Sequence, residues 1–184
     1  MTKFNHVMVD IETTGTNSTF NAMIQLAAVR FDLNEREIDM SMFDQCLKIP
    51  GNRFWAEDTR EWWARQDQAI IDKIWSRMRD PKTVLQEFYR WVTRDMRGEN
   101  LILWAKPSHF EYPFLESYFR EYDVAQPFFY RDVNDLNSWC RARGLSNLSS
   151  EIEVQGEAHY AINDVLHQIQ VLFELMERTD VTTV

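Results

Sequence analysis

Cysteine, long apolar runs and positive charge are all in short supply in this chain of 184 residues. Cys46 and Cys140 are the two cysteines, far apart and without a short metal-ligand spacing. They exclude a disulfide framework and read as reduced thiols of a cytoplasmic protein. No stretch of about 18 apolar residues exists, which excludes a transmembrane helix. Met1 to His6 carries no apolar run of the signal-peptide kind. Glycine and proline number five each, with no low-complexity tract and no linker. Lys and Arg total 20 against 29 Asp and Glu, for a net charge of −9 and a pI near 4.9. That balance argues against a broad basic surface for non-specific nucleic-acid binding. A nucleic-acid enzyme is still allowed, because bound cations and a few basic side chains can supply positive charge locally. Arg60, Arg65, Lys106, Arg131, Arg141 and Arg143 are candidates, although most such residues are solvated surface charges.

What is present is a large apolar payload. The hydrophobic share is 45%, with 7 Trp and 12 Phe. At 22.1 kDa this suits one domain over residues 1–184 with its core at about 4–177.

The most informative stretch is Val7-Met8-Val9-Asp10-Ile11-Glu12-Thr13-Thr14-Gly15. Side chains alternate faces along a strand, so Val7, Val9 and Ile11 share one face and Asp10 and Glu12 the other. Two such charges about 4 Å apart at an effective dielectric near 20 repel by roughly 4 kcal/mol. A divalent cation reverses that sign, and carboxylate oxygens suit Mg²⁺ or Mn²⁺. The plainer alternative is a solvated strand end bearing two surface acids.

Phe4 to Glu12 reads as the first strand, Ile24 to Asp32 as a second and Met42 to Ile49 as a third, with short links that favour antiparallel pairing. Pro50-Gly51 breaks the pattern. Helical spacing follows from Asp58 or Thr59 to Gln66, from Ala69 to Met78, and from Asp80-Pro81 to a stop at Gly98. Leu101 to Ala105 is the apolar run of an interior strand. Ser108 opens a helix, Phe128 to Val133 gives a fifth strand, and helices cover Asp135 to Arg143 and Ala161 to Glu177. This order makes a mixed, five-stranded α/β sheet flanked by helices and resembles the ribonuclease-H-like fold.

Two further places carry chemistry. Glu111 shares a helix face with Phe114, Leu115 and Tyr118, where an acid is costly unless it is paired, ligated or at the rim. A helix N-terminus also favours an acid, by about 0.3–1 kcal/mol. His159 and Asp164 would diverge by about 140° on one helix, so a shared site needs His159 in the loop before it. Alone, a solvated His and a helix-surface Asp would explain the pair.

Taken together, Asp-Ile-Glu-Thr-Thr-Gly, an acid after the fourth strand and the late His-Tyr-Ala-x-x-Asp resemble the DEDDh (DnaQ-like) 3′–5′ exonucleases. Trp62-Trp63-Ala64-Arg65-Gln66 and Trp104-Ala105-Lys106-Pro107 further resemble the Rv2179c-like, ribonuclease-AS-like exoribonucleases of bacteria and phages. The resemblance implies two Mg²⁺ or Mn²⁺ ions on Asp10, Glu12, Glu111 and Asp164, with Asp10 bridging and His159 as general base. It implies stepwise release of 5′-nucleoside monophosphates from a single-stranded 3′ end, of RNA or short oligonucleotides. The family has Asp where this chain has Glu111, one methylene longer, and a shift of about 1 Å can cost around 10²-fold in rate. Thr13, Trp63 and Gln66 are the candidate substrate contacts, with Trp63 stacking a base and Gln66 bonding its edge. A Trp pair on a helix also commonly packs in a core. DNA remains an alternative substrate, as does a non-catalytic relative that binds a partner. Close relatives are commonly homodimers, and the Trp55, Trp62, Trp63 and Trp75 cluster is the expected interface.

Overall fold

The computed structural model describes residues 3–156 and 159–180. Its centre is β1 (His6–Thr13), which pairs antiparallel with β2 (Met23–Asp32), Val9 opposite Ala28 and Asp10 opposite Ala27. β3 (Glu37–Ile38) and β4 (Phe43–Leu47) both pair antiparallel with β2. Helices α1 (Glu57–Trp63) and α2 (Gln68–Ser76) lead to β5 (Met78–Arg79), which is parallel to β4. α3 (Pro81–Thr93), β6 (Ile102–Ala105) and α4 (Ser108–Glu121) follow, with β6 parallel to β1. β7 (Val133–Asp135), α5 (Leu136–Ala142), α6 (Leu148–Glu151) and α7 (Ala161–Asp180) complete the described chain. The sheet order is β5-β4-β2-β1-β6-β7, with β3 beside β2.

The expected mixed sheet between helices is therefore present, with seven strands in place of five. The two additions, β3 and β5, are two residues each and too short to show any period. The fifth strand starts later than its apolar residues suggest. Tyr130–Asp132 forms a turn of 3₁₀-helix, and Val133 is the first residue to reach register, opposite Leu103. α3 also stops short, at Thr93 and not at Gly98. Arg94 leaves the helix with ψ near 140°, and its carbonyl accepts the Arg30 guanidinium at 2.8 Å.

Alternation along β1 sorts the core. Val7, Val9 and Ile11 pack with Val84, Leu85 and Phe88 of α3 and Phe114, Leu115 and Tyr118 of α4. Met8, on the other face, packs with Val165, Ile169 and Leu172 of α7. Asp10 and Glu12 share parity with Met8, so the same rule that buries Val9 turns both acids toward α7. No helix among the described residues is long and apolar enough to cross a membrane. Both cysteines are buried and free, and burial pushes the Cys46 thiol up to about 11.

Candidate active site

The turn after β1 is held from several sides. The Thr14 hydroxyl donates to the Phe54 carbonyl at 2.9 Å and accepts the Ala22 N–H at 2.7 Å. Thr13 donates its hydroxyl to the Gly15 carbonyl, and its own carbonyl accepts the Trp63 indole N–H at 3.0 Å. Gly15 is required by close approach: a Cβ there would lie 2.4 Å from the Asn21 side chain. That asparagine donates to the Phe54 carbonyl and accepts the Asn17 N–H. The β1–β2 register shifts between Glu12 and Thr13, an irregularity directly after the acids, beyond which Thr13 pairs with Met23.

α7 brings the third acid. Asp164 lies in its first turn, and carboxylate oxygens of Asp10, Glu12 and Asp164 fall within 4.8 Å of one another. One turn further, Gln168 donates its amide N–H to Asp10 Oδ1 at 2.8 Å. Helical spacing of i, i+4 after Asp164 was the signal that could have marked Gln168 beforehand. Lys106, at the end of β6, faces Asp10 and Asp164 with its charge and donates to the Ser149 hydroxyl.

Glu111 comes from the first turn of α4 and is 3% exposed, with Oε2 buried and unpartnered. Its helix is not capped by Ser108, the expected opener. Pro107 occupies the cap, and the Ser108 N–H donates to Asp135 Oδ2 at 2.9 Å. Asp135 also caps α5 through the Ser138 N–H and hydroxyl, so one side chain at the end of β7 seats two helices.

The electrostatics follow from packing several acids in one place. Burial, then the Asp164 charge, pushes Asp10 up to about 8, against the Gln168 bond and Lys106. Burial, then Asp10, pushes Glu111 up to about 9. Glu12 is raised by burial first and then by Asp10, Asp164 and Glu111. Asp164 is raised by burial, which outweighs His159, His167 and Lys106. All-oxygen donors, an orphaned buried carboxylate oxygen and mutual repulsion fit a hard divalent cation.

His159 sits in the loop before α7, as a shared site requires, in the left-handed region at φ 62°. Its ring meets the Trp62 ring edge-to-face at 4.9 Å. The next residue, Tyr160, anchors this loop. Its hydroxyl donates to Asp44 Oδ2 at 3.1 Å and accepts from Arg77, while Gln25 donates to the other Asp44 oxygen at 2.8 Å.

The expected substrate contacts are placed less simply. Trp63 is 6% exposed, with its indole N–H spent on Thr13. It packs beside Ile24, Ile70 and Ile74, so its geometry is that of a strut under the Thr13 turn and leaves no open face for a base. Gln66 donates its amide to the Trp62 carbonyl at 3.0 Å, and the Thr13 hydroxyl is likewise engaged.

Comparisons with known proteins bear on the fold and on the family. Sequence comparison with curated proteins found no match. Among solved structures, S. pombe Pop2p in its Mg²⁺- and Mn²⁺-bound form superposes with a TM-score of 0.70 at 13% identity, over 98% of this chain and 86% of that one. The nuclease domain of 3′hExo, a DEDDh family member bound to rAMP, gives 0.64 at 15% identity over 95% and 93%. The zinc-bound E. coli ExoI–ssDNA complex gives 0.72 at 15% identity over 95% of this chain, which spans 41% of the length of that protein. These likenesses carry the fold, ribonuclease-H-like and shared with exonucleases. A family model, the 3′–5′ exoribonuclease Rv2179c-like domain, matches residues 5–176. The chain belongs to the Rv2179c-like family of 3′–5′ exoribonuclease domains.

Proposed function

We propose that this protein is a metal-dependent 3′–5′ exonuclease that removes 5′-nucleoside monophosphates from the 3′ end of single-stranded RNA or short oligonucleotides. The observation that carries the reading is the convergence of Asp10, Glu12 and Asp164 within 4.8 Å, from elements far apart in sequence. In this reading Asp10, Glu12, Glu111 and Asp164 would hold two divalent cations. When bound, Mg²⁺ or Mn²⁺ supplies the positive charge that a phosphodiester needs as negative charge grows in its transition state.

The remaining work belongs to the chain. Gln168 holds one Asp10 oxygen, so the carboxylate is oriented before a ligand arrives. His159 accepts a proton from the attacking water, a role worth about 10²–10⁴-fold. Its ring is buttressed by Trp62, and its backbone is fixed through Tyr160. Lys106 adds a positive charge beside the phosphate path. Thr13 and Gln66 line the terminal nucleotide, with Trp63 supporting Thr13 from beneath. Two free, buried thiols fit a reducing cytoplasm. Trp75 is 41% exposed beside Trp55, and this aromatic face serves as the interface of a homodimer.

The test is digestion of 3′-labelled and 5′-labelled single-stranded RNA and DNA with Mg²⁺, Mn²⁺ or EDTA, beside Asp10→Ala. Stepwise shortening from the 3′ end, lost with EDTA and in the variant, is the expected result. DNA is the second reading, favoured by the likeness to an ExoI–ssDNA complex. A folded protein that cleaves neither polymer would leave a partner-binding domain as the better account.

A further inference from the structure

Phe20 and Phe54 form an exposed pair at the rim of the β1 turn. Their rings lie 15° from parallel with centroids 6.2 Å apart, and the residues are 52% and 56% exposed. Large apolar side chains at a surface are ordinary singly, but two neighbouring rings stacked nearly parallel and both half-exposed are a shaped apolar surface.

The pair is fixed in place. The Phe54 N–H donates to the Phe20 carbonyl at 2.9 Å. The Phe54 carbonyl accepts both the Thr14 hydroxyl and the Asn21 amide. Buried Arg53, next in sequence, donates to the carbonyls of Ser18 and Asn21 and pairs with Glu121 on α4. Every backbone segment flanking the two rings is thus tied down, while the rings themselves are left open.

The pair is also continuous with the acids. Thr14, which bonds Phe54, lies two residues after Glu12, within roughly 7 Å along the chain. A strand whose 3′ end reaches Glu12 has this rim within reach of its upstream bases. With a net charge of −9, the protein has little broad positive surface with which to hold a phosphate backbone. Ring faces hold bases without regard to sequence and without cationic help, and a rigid ring loses little freedom on binding.

We propose that Phe20 and Phe54 are a base-stacking shelf for nucleotides upstream of the scissile bond, making the enzyme favour single strands of several nucleotides over dinucleotides. The proposal rests on the exonuclease reading above. The occupant is the unpaired bases of a single-stranded oligonucleotide.

The experiment compares kcat/KM on a dinucleotide, a single-stranded decamer, and a decamer with abasic sites upstream of the terminal residue, for wild type, Phe20→Ala/Phe54→Ala, Phe20→Leu/Phe54→Leu and Phe20→Tyr/Phe54→Tyr. Wild type is expected to favour the intact decamer through KM by about tenfold per stacked base. The Ala and Leu pairs should lose that preference, the Tyr pair should keep it, and the abasic decamer should behave like the dinucleotide in wild type. An unchanged decamer preference in the Ala pair, with cleavage intact, would overturn the shelf alone. Failure of wild type to cleave any substrate would overturn the exonuclease reading beneath it. A wild-type dimer in sedimentation that the Ala pair dissociates, with substrate preference unaltered, would assign the patch to self-association instead.

Discussion

Gln168 holds Asp10 from the next turn of the helix that carries Asp164, its amide nitrogen 2.8 Å from Asp10 Oδ1. A carboxylate with its orientation fixed in this way loses less freedom when it takes a cation. The opposite amide oxygen of Gln168 is buried without a hydrogen-bond partner, so this side chain is kept at some cost in stability. Replacing it with Leu, similar in volume and fully apolar, removes that orphaned oxygen but also strips the desolvated Asp10 carboxylate of its donor. Two effects of about 1–3 kcal/mol then oppose each other, and the melting temperature should change little. Mn²⁺ affinity by calorimetry should fall about 10- to 100-fold, the usual effect of losing a partner to a metal ligand. Equal affinity in the two proteins would show that the bond orients nothing.

Acid chemistry at the site predicts an unusual pH dependence for the metal-free protein. Asp10 is pushed up to about 8 and Glu111 up to about 9, whereas in an unfolded chain both titrate near pH 4. The folded state therefore binds more protons than the unfolded one between these limits. Stability from these groups is complete below about pH 4 and is lost as pH rises toward 8–9, by at most about 1.4 kcal/mol per pH unit for each proton. Asp39, Asp80 and Asp135 are shifted down and act in the opposite sense, but only below their ordinary range. Thermal melts in EDTA should show a falling melting temperature from pH 5 to 9, and saturating Mn²⁺ should restore most of the loss at pH 9. A flat profile in EDTA would contradict the raised acids.

Glu111 should behave as a functional group whose retention lowers stability. Glu111→Gln removes the charge that burial and Asp10 oppose, so the metal-free protein should melt higher at pH 8–9 and with a shallower pH slope. The same change should lower cleavage by about 10²-fold or more if this carboxylate completes the metal site. A variant with full activity would remove Glu111 from the set of ligands.

Trp63 separates support from stacking. Its burial and its bond to the Thr13 carbonyl predict that Trp63→Phe loses about 1–2 kcal/mol by urea unfolding, and Trp63→Ala about 3–5. With Phe, cleavage should fall through kcat, because the turn behind Glu12 loosens. A rise in KM with stability and kcat preserved would instead restore a direct contact with a base.

The turn itself admits almost no variation at Gly15. A methyl there would meet three atoms of Asn21 at 2.4–2.7 Å, and Asn21 is held by Phe54 and Asn17. Gly15→Ala should destabilise by about 1–3 kcal/mol, the range for overpacking. Gly15→Ala with Asn21→Ala should recover part of that loss, measured as a coupling in a double-mutant cycle. Strict additivity would mean that the clash relaxes elsewhere.

The parts of the fold that were legible in sequence share one property: the pattern outlasts the element. β1 and β2 run for 8 and 10 residues and show their alternation or their unbroken apolar run. α7 carries its stripe of Val165, Ile169 and Leu172 over several turns. β3 and β5 span two residues each, and only a neighbouring strand makes them strands. Asp135 could not be read as the acceptor for the first N–H of α4 because donor and acceptor are 27 residues apart. At the site, alternation singled out Asp10 and Glu12, and an apolar helix face singled out Glu111. His159 and Asp164 were suggested only by the family resemblance, since a loop histidine and a helix acid five residues apart show no pattern of their own. Trp63 was ambiguous because an indole suits both a core and a base, and only burial and the Thr13 bond distinguish the two.

The carboxylate cluster spans positions 10 to 164, and its last member arrives on the helix that also closes one face of the sheet. A ribosome-bound chain can pair β1 with β2 early and add Glu111 with α4, yet the cluster lacks Asp164 until α7 emerges and docks. The residue that completes the carboxylate cluster therefore comes on the same helix that completes this face of the core, so a chain that ends before α7 lacks both.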